Sequence, residues 1–194
     1  MAEDKPIVAD VTSDPEVWDD EYFNRHRNAA ELGDAEAQYQ FGLAHVLCLD
    51  FEPDASQALH WLHKAAKQQH SASMFKLGQW YEWGTVIPKD DAEAAMWYSK
   101  AAELGHEGAQ FQLGMMYLYG QGAQKNDAEA AAWFRKSAEQ GNASAQFLLG
   151  WMCMEGRGIP EDFTEAASWL SKAAVQGEPN AQLNLGLLYR RGSG

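Results

Sequence analysis

Residues 109–120 read AQFQLGMMYLYG and residues 127–141 read DAEAAAWFRKSAEQG, with the six-residue loop 121–126 between them. Both strings carry a helical period. In the first, Ala109, Leu113, Tyr117 and Gly120 stand at i, i+4, i+8 and i+11 and share one face, with small residues where a neighbouring backbone can approach. In the second, Ala130, Trp133, Ser137 and Ala138 do likewise. Two such helices joined by a short loop pack as a hairpin.

The hairpin recurs. Glycine stands at Gly42, Gly78, Gly114, Gly150 and Gly186, each 36 residues from the last, and tryptophan at Trp61, Trp97, Trp133 and Trp169 with the same spacing. A lysine follows three residues after each tryptophan, at Lys64, Lys100, Lys136 and Lys172. A fixed period of this length marks an array of units.

Punctuation agrees with the period. Each second helix opens on a polar cap with Glu or Gln three residues on: Asp54 and Gln57, Asp90 and Glu93, Asn126 and Glu129, Asp162 and Glu165. The cap accepts from free first-turn amides, and the third residue is expected to return a bond to the cap's own amide. Gly105, Gly141 and Gly177 follow the second helices, where a left-handed residue is favoured. Gln69 fills that column in the first full unit, and its turn is expected to be less standard. Gly120-Gln121-Gly122 and Gly156-Arg157-Gly158 read as flexible turns within the hairpins.

The pattern Ala-x-x-x-Leu-Gly-x-x-Tyr-x-x-Gly, then Asp-x-x-x-Ala-x-x-Trp-x-x-Lys-Ala-Ala-x-x-Gly, resembles the Sel-1-like repeat, a longer relative of the tetratricopeptide repeat. The resemblance covers about residues 35 to 192. Phe41, His45 and Cys48 depart from it in the first unit and Cys153 in the fourth. It implies an all-α fold, a right-handed alpha-alpha superhelix (solenoid) of antiparallel helical hairpins with a 36-residue period.

The layout that follows has an acidic mobile lead over 1–13, an N-terminal capping helix over 14–34 and the solenoid over 35–194. The repeats fall at 37–72, 73–108, 109–144 and 145–180, with a fifth first helix over 181–192. Asp14-Pro15 begins the capping helix, and Ala29-Ala30-Glu31-Leu32-Gly33 matches residues 101–105, so this is an unpaired second helix covering the apolar end of the array. At the other end the last unit stops in the loop before its second helix. Continuation of a parent chain and self-association through the uncapped last helix both stay open.

Composition narrows the partners. With 194 residues, 46% apolar and eight tryptophans, the chain has the means for a folded core. Its net charge of -13 repels nucleic-acid phosphates and anionic membranes. Eight acids and one lysine lie within residues 1–21, so the repeats themselves are only mildly acidic. No signal peptide and no apolar run of membrane-spanning length can be read, so the expected compartment is the cytoplasm.

Catalytic chemistry finds no foothold. There is no phosphate loop, nucleophile elbow or dinucleotide fingerprint, and no cofactor or metal is expected. His60 and His63, at i and i+3 with Cys48 upstream, are the nearest thing to a metal site, yet neither a carboxylate at matching spacing nor a Cys-x-x-Cys accompanies them, and a solvated helix face is the simpler reading. His70 and His106 share an inter-repeat turn column, where polar residues belong. Cys48 and Cys153 lie almost three units apart and read as structural thiols.

The stronger signal is in the first helices, which are apolar nearly all round. Opposite their constant face lie columns that vary from copy to copy: Leu43, Val46 and Leu47; Gln79, Glu82 and Trp83; Met115, Leu118 and Tyr119; Trp151, Met154 and Glu155; Leu187, Arg190 and Arg191. That face is either buried against adjacent units or exposed for binding. The resemblance implies that the first helices line a concave side. The candidate protein-binding residues are therefore Leu43, Gln79, Glu82, Trp83, Met115, Leu118, Tyr119, Trp151, Met154 and Glu155. Their aromatics and methionines suit an interface core, with Gln79, Glu82 and Glu155 as a polar rim favouring a basic or amphipathic peptide. The methionines and Leu118 equally suit the filling of a tightly curved interior.

The function expected is a non-enzymatic protein-protein interaction module, an adaptor or scaffold. The family resemblance also implies an alternative, an immunity protein neutralising a cognate bacterial toxin by direct binding. A hydrolase acting on cell-wall or beta-lactam substrates is a third class implied by relatives, but those carry paired cysteines in each repeat, which this chain lacks.

Overall fold

A computed structural model of the chain describes residues 20–47 and 54–191, all of whose regular structure is helical. The helices are α1 (Asp20–Glu31), α2 (Ala35–Leu47), α3 (Ala55–Lys67), α4 (Ser71–Trp83), α5 (Asp91–Glu103), α6 (Glu107–Tyr119), α7 (Asp127–Glu139), α8 (Ala143–Glu155), α9 (Phe163–Val175) and α10 (Pro179–Arg191). The acidic lead, Asp14-Pro15, Cys48 and Gly192 lie outside the described residues. The chain forms two compact units, one up to Asp90 and one from Asp91.

In the first unit α1 packs on α2, α2 on α3 and α3 on α4. Ala30, Ala37, Phe41 and Trp61 form a small core where α1 covers α2 and α3, and Gln38 Nε2 donates to the Ala30 carbonyl at 3.1 Å. In the second unit each helix from α5 to α10 packs on the next. Its core runs from Leu118 through Phe134, Leu149, Met152 and Leu170 to Leu188 without a single centre. Both units are stacks of helical hairpins, the solenoid architecture expected from the period.

The glycine column makes the helix crossings. A Cβ on Gly114 would lie 2.7 Å from the Phe134 ring, and one on Gly150 would lie 2.8 Å from Leu170 and 3.2 Å from the Ala166 carbonyl. The tryptophan and lysine columns join as cation–π pairs: the ammonium groups of Lys64, Lys100, Lys136 and Lys172 sit 3.8 to 4.3 Å from the rings of Trp61, Trp97, Trp133 and Trp169.

Three local expectations are modified. Asp54, Asn126 and Asp162 do accept from first-turn amides, but the cap's own amide is not served by the side chain three residues on. It donates instead to the carbonyl nine residues back, Asp54 to His45, Asp90 to Tyr81, Asn126 to Tyr117 and Asp162 to Cys153, at 2.8 to 3.0 Å. This backbone bond, repeated in each hairpin, closes the loop at one fixed length.

The Gly-x-Gly turns are held tightly. At Gly122 and Gly158, with φ of 66° and 73°, a Cβ would run into the backbone of Asp91 and Asp127, so each loop lies directly on the N-terminus of the second helix before it. Polar residues between repeats are caps as well as turn formers. Asp34 Oδ1, His70 Nδ1, His106 Nδ1 and Asn142 Oδ1 accept from the amides of Ala37, Ser73, Ala109 and Ala145. The two imidazoles therefore carry their lone pair on Nδ1.

Gln69 takes the same left-handed turn as the glycines, with φ 62°, and the same closing bonds: Gln69 N donates to Ala66 O and His70 N to Ala65 O. A side chain in that region is strained by about 1 kcal/mol, so Gln69→Gly is expected to raise stability by about 0.5 to 1 kcal/mol. Urea denaturation at unchanged m-value measures it. A loss of stability would show that the Gln69 side chain contributes more than its backbone strain takes away.

Candidate functional site

The three variable columns have different fates. In the first column Leu43 and Gln79 are buried, while Met115 and Trp151 are half-buried, with both of the latter against the core of the second unit. In the second, Glu82 is half-buried and Leu118 and Met154 are buried. The third stands at the helix ends, where Trp83 is 51% exposed, Tyr119 is 62% exposed and Glu155 is exposed.

Leu43 and Leu118, each only 2% exposed, have no surface to offer a ligand and are core residues. The reason is geometric. A first helix is flanked by its own second helix and by neighbouring hairpins, so part of its variable side becomes inter-hairpin core. What remains accessible is Trp83 in the first unit and, in the second, Tyr119 and Glu155 at the helix ends with the half-buried Met115 and Trp151. Gln79, though buried, leaves its Oε1 without a hydrogen-bond donor among the described residues.

In the second unit this face has a charged corner that sequence reasoning overlooked. Arg157, the middle residue of a Gly-x-Gly turn, lays its guanidinium over the Trp151 ring at 5.1 Å. Its Nε and Nη2 donate to Asp127 Oδ2 and Oδ1 at 2.9 and 3.2 Å. Asp127 stands at the start of α7 and Arg157 in the following hairpin, so the pair ties two hairpins together. These hydrogen bonds from Arg157 hold the Asp127 carboxyl below its ordinary range, with Lys125 adding to the effect, and Tyr119 lies near enough to act on the Arg157 charge. The legible signal was the Arg standing between two glycines.

A second charged group sits deeper. The Glu165 carboxylate accepts from Arg135 and, at 3.0 Å, from Trp169 Nε1, and these bonds hold it below the ordinary carboxylate range. Beside it Cys153 is fully buried, and desolvation pushes its thiol up to about 11. A thiol so placed stays protonated at neutral pH and is a poor nucleophile. His63 Nδ1 lies 2.7 Å from the Leu59 carbonyl, and no group of three or more His, Cys, Asp or Glu among the described residues is placed to hold a metal ion.

The charged groups set an acid response. Asp127 and Glu165 have lowered values, so their stabilisation is complete above the ordinary carboxylate values of 3.8 and 4.5 and is lost as pH falls through the still lower folded ones. Glu165→Gln is therefore expected to destabilise at pH 7 and to lose its disadvantage progressively as pH falls below 4.5 and through the lower folded value. Denaturation of both proteins across pH 3 to 7 checks this, and a gap independent of pH would remove the Glu165 charge from the account.

Solved structures share this architecture. A protective antigen of uropathogenic Escherichia coli displaying an SLR fold is 38% identical, with TM-score 0.82 over 88% of this chain and 36% of that one. A Sel1 repeat protein from Oxalobacter formigenes is 36% identical, with TM-score 0.82 over 88% of this chain and 50% of that one. The chain thus spans only part of the length of either. An immunity protein from Pseudomonas aeruginosa, 18% identical with TM-score 0.50 over 90% of this chain and 69% of its own, is similar in fold alone. No match was found among curated proteins. No helix among the described residues is long and apolar enough to cross a membrane. The model of the Sel1 repeat matches residues 35–70, 71–106, 108–142, 143–178 and 179–194, and the chain belongs to the Sel1 repeat family.

Proposed function

We propose that this chain is a cytoplasmic adaptor or scaffold that binds a partner protein or peptide through the face of its first helices. Sel1 repeats generally mediate protein-protein binding and are generally non-catalytic. The observation that carries the reading is the exposure of Trp83 and Tyr119 at equivalent helix ends, the other large aromatics among the described residues being mostly packed. Large exposed aromatics contribute most of the energy of interfaces when a partner desolvates them. Within the unit from Asp91, Glu155 fits a polar rim, and half-buried Met115 and Trp151 fit the apolar part of the face.

The test is capture of partners by the wild-type chain beside a Trp83→Ala, Tyr119→Ala double variant at matched thermal stability. Loss of a hot-spot aromatic weakens binding by about 2 kcal/mol, so recovery of a specific partner is expected to fall at least about tenfold. Equal recovery by both proteins removes these aromatics from the binding face.

A further inference from the structure

Within the unit from Asp91, the corner made by Tyr119, Trp151, Arg157 and Asp127 has donors to spare. A guanidinium has five N–H groups, and Asp127 uses one on Nε and one on Nη2. The other three, one on Nη2 and both on Nη1, meet no acceptor among the described residues. Arg157 is held in place by its surroundings: Gly156 and Gly158 fix the turn with φ of 61° and 73°, and Gly158 rests on the Asp127 backbone. The Trp151 ring supports one guanidinium face and Asp127 one edge, while about a third of the side chain, 32%, remains open to solvent. The entropy of ordering a long cation has thus been met before any ligand arrives.

Charge defines what fits. Lys125 acts on the same carboxylate, so a second cation adds to Arg157 at this corner of a chain whose net charge is -13. The uncovered edge of a guanidinium matches the two oxygens of a carboxylate. Beside it, exposed Tyr119 and half-buried Trp151 offer apolar surface.

We infer that Arg157 receives a carboxylate of the partner, so that this unit selects a peptide segment with an acidic side chain next to an apolar or aromatic one. The inference rests on the reading of the first-helix face as a binding face and assigns its partner's chemistry in this unit, in place of the basic segment suggested by the rim glutamates. Asp127 acts as the positioning residue that holds the guanidinium flat and partly neutralises it.

A random peptide library displayed on phage and selected on the full chain tests this. Enriched peptides are expected to pair Asp or Glu with a neighbouring aromatic or aliphatic residue. A synthetic peptide from that pool is expected to bind Arg157→Gln at least about tenfold more weakly than wild type, with affinity falling as salt rises. The same peptide with its Asp or Glu replaced by the amide is expected to bind wild type comparably weakly and to lose little more on Arg157→Gln, whereas a merely structural role for Arg157 would weaken both peptides alike. A melting curve of Arg157→Gln confirms that folded proteins are compared.

Enriched peptides without acidic preference, or equal weakening of the acidic and the amide peptide by Arg157→Gln, overturn the carboxylate assignment and leave the binding face standing. Peptides whose binding ignores replacement of Trp83 and Tyr119, or an absence of enrichment, overturn the face and the assignment together.

Discussion

Replacing Gly158 by alanine is expected to lower stability by about 3 kcal/mol or more, a loss of roughly 10 °C in melting temperature. Two penalties coincide there. The φ of 73° is poorly tolerated by any side chain, and the new methyl group would enter the space of the Asp127 carbonyl and the Ala128 amide. A side chain in the way could rotate aside, but the first turn of α7 cannot move without breaking its own hydrogen bonds. The loop would lift and take Arg157 away from Asp127.

Gly177→Ala is the matched control. Its φ of 88° carries a comparable backbone strain, but nothing lies within 4 Å of its Cβ position, so the expected loss is only about 1 kcal/mol. Gly122→Ala should behave like Gly158→Ala, because its methyl would meet the Asp91 carbonyl. Thermal and urea unfolding followed by circular dichroism measure all three. Similar losses at Gly158 and Gly177 would show that backbone strain alone explains the turn and that close approach adds nothing.

The second large effect belongs to Phe134. The ring is fully buried where α6 crosses α7, and Phe134→Ala is expected to cost about 3 to 5 kcal/mol through lost burial and the cavity left behind. Gly114, directly opposite, makes the sign of a second change depend on the first. In the wild type a methyl group at 114 would sit 2.7 Å from the ring, so Gly114→Ala should destabilise by about 1 to 2 kcal/mol despite alanine's better helix propensity. In the Phe134→Ala background the obstacle is gone. The same change should then stabilise by about 1 kcal/mol, by propensity and by filling part of the cavity. A double-mutant cycle in urea reads this reversal directly. If Gly114→Ala has the same sign in both backgrounds, the crossing is not set by the contact between these two residues.

Much of this was legible in the residues. The glycine and tryptophan columns gave the hairpin, its length and its crossings, because helix packing forces small residues to recur wherever backbones meet. The caps at Asp54, Asn126 and Asp162 were legible for the same local reason. The binding face was harder to read. Leu43 and Leu118 vary from copy to copy just as Trp83 and Tyr119 do, and variation cannot distinguish a side chain packed between hairpins from one facing solvent. Gln69 misled because its side chain suggested a different turn, whereas the bonds closing the turn impose the left-handed backbone on whatever residue stands there. Arg157 and Asp127 were missed because their separation of 30 residues is not the period. The same offset joins Gln110 to Gln140, Gln146 to Gln176 and Arg135 to Glu165, and becomes meaningful only once the helices are stacked.

The polar ties between residues 109–144 and 145–180 are spread along the whole seam. At the inter-repeat end Gln146 donates to the Ala138 carbonyl and Gln176 to that of Gly141, Arg135 reaches Glu165 along the second helices, and Arg157 grips Asp127 at the loop end. In the language of amide exchange, this seam makes two neighbouring repeats one opening unit: α7 and α8 should exchange through a shared opening, with similar protection along both helices.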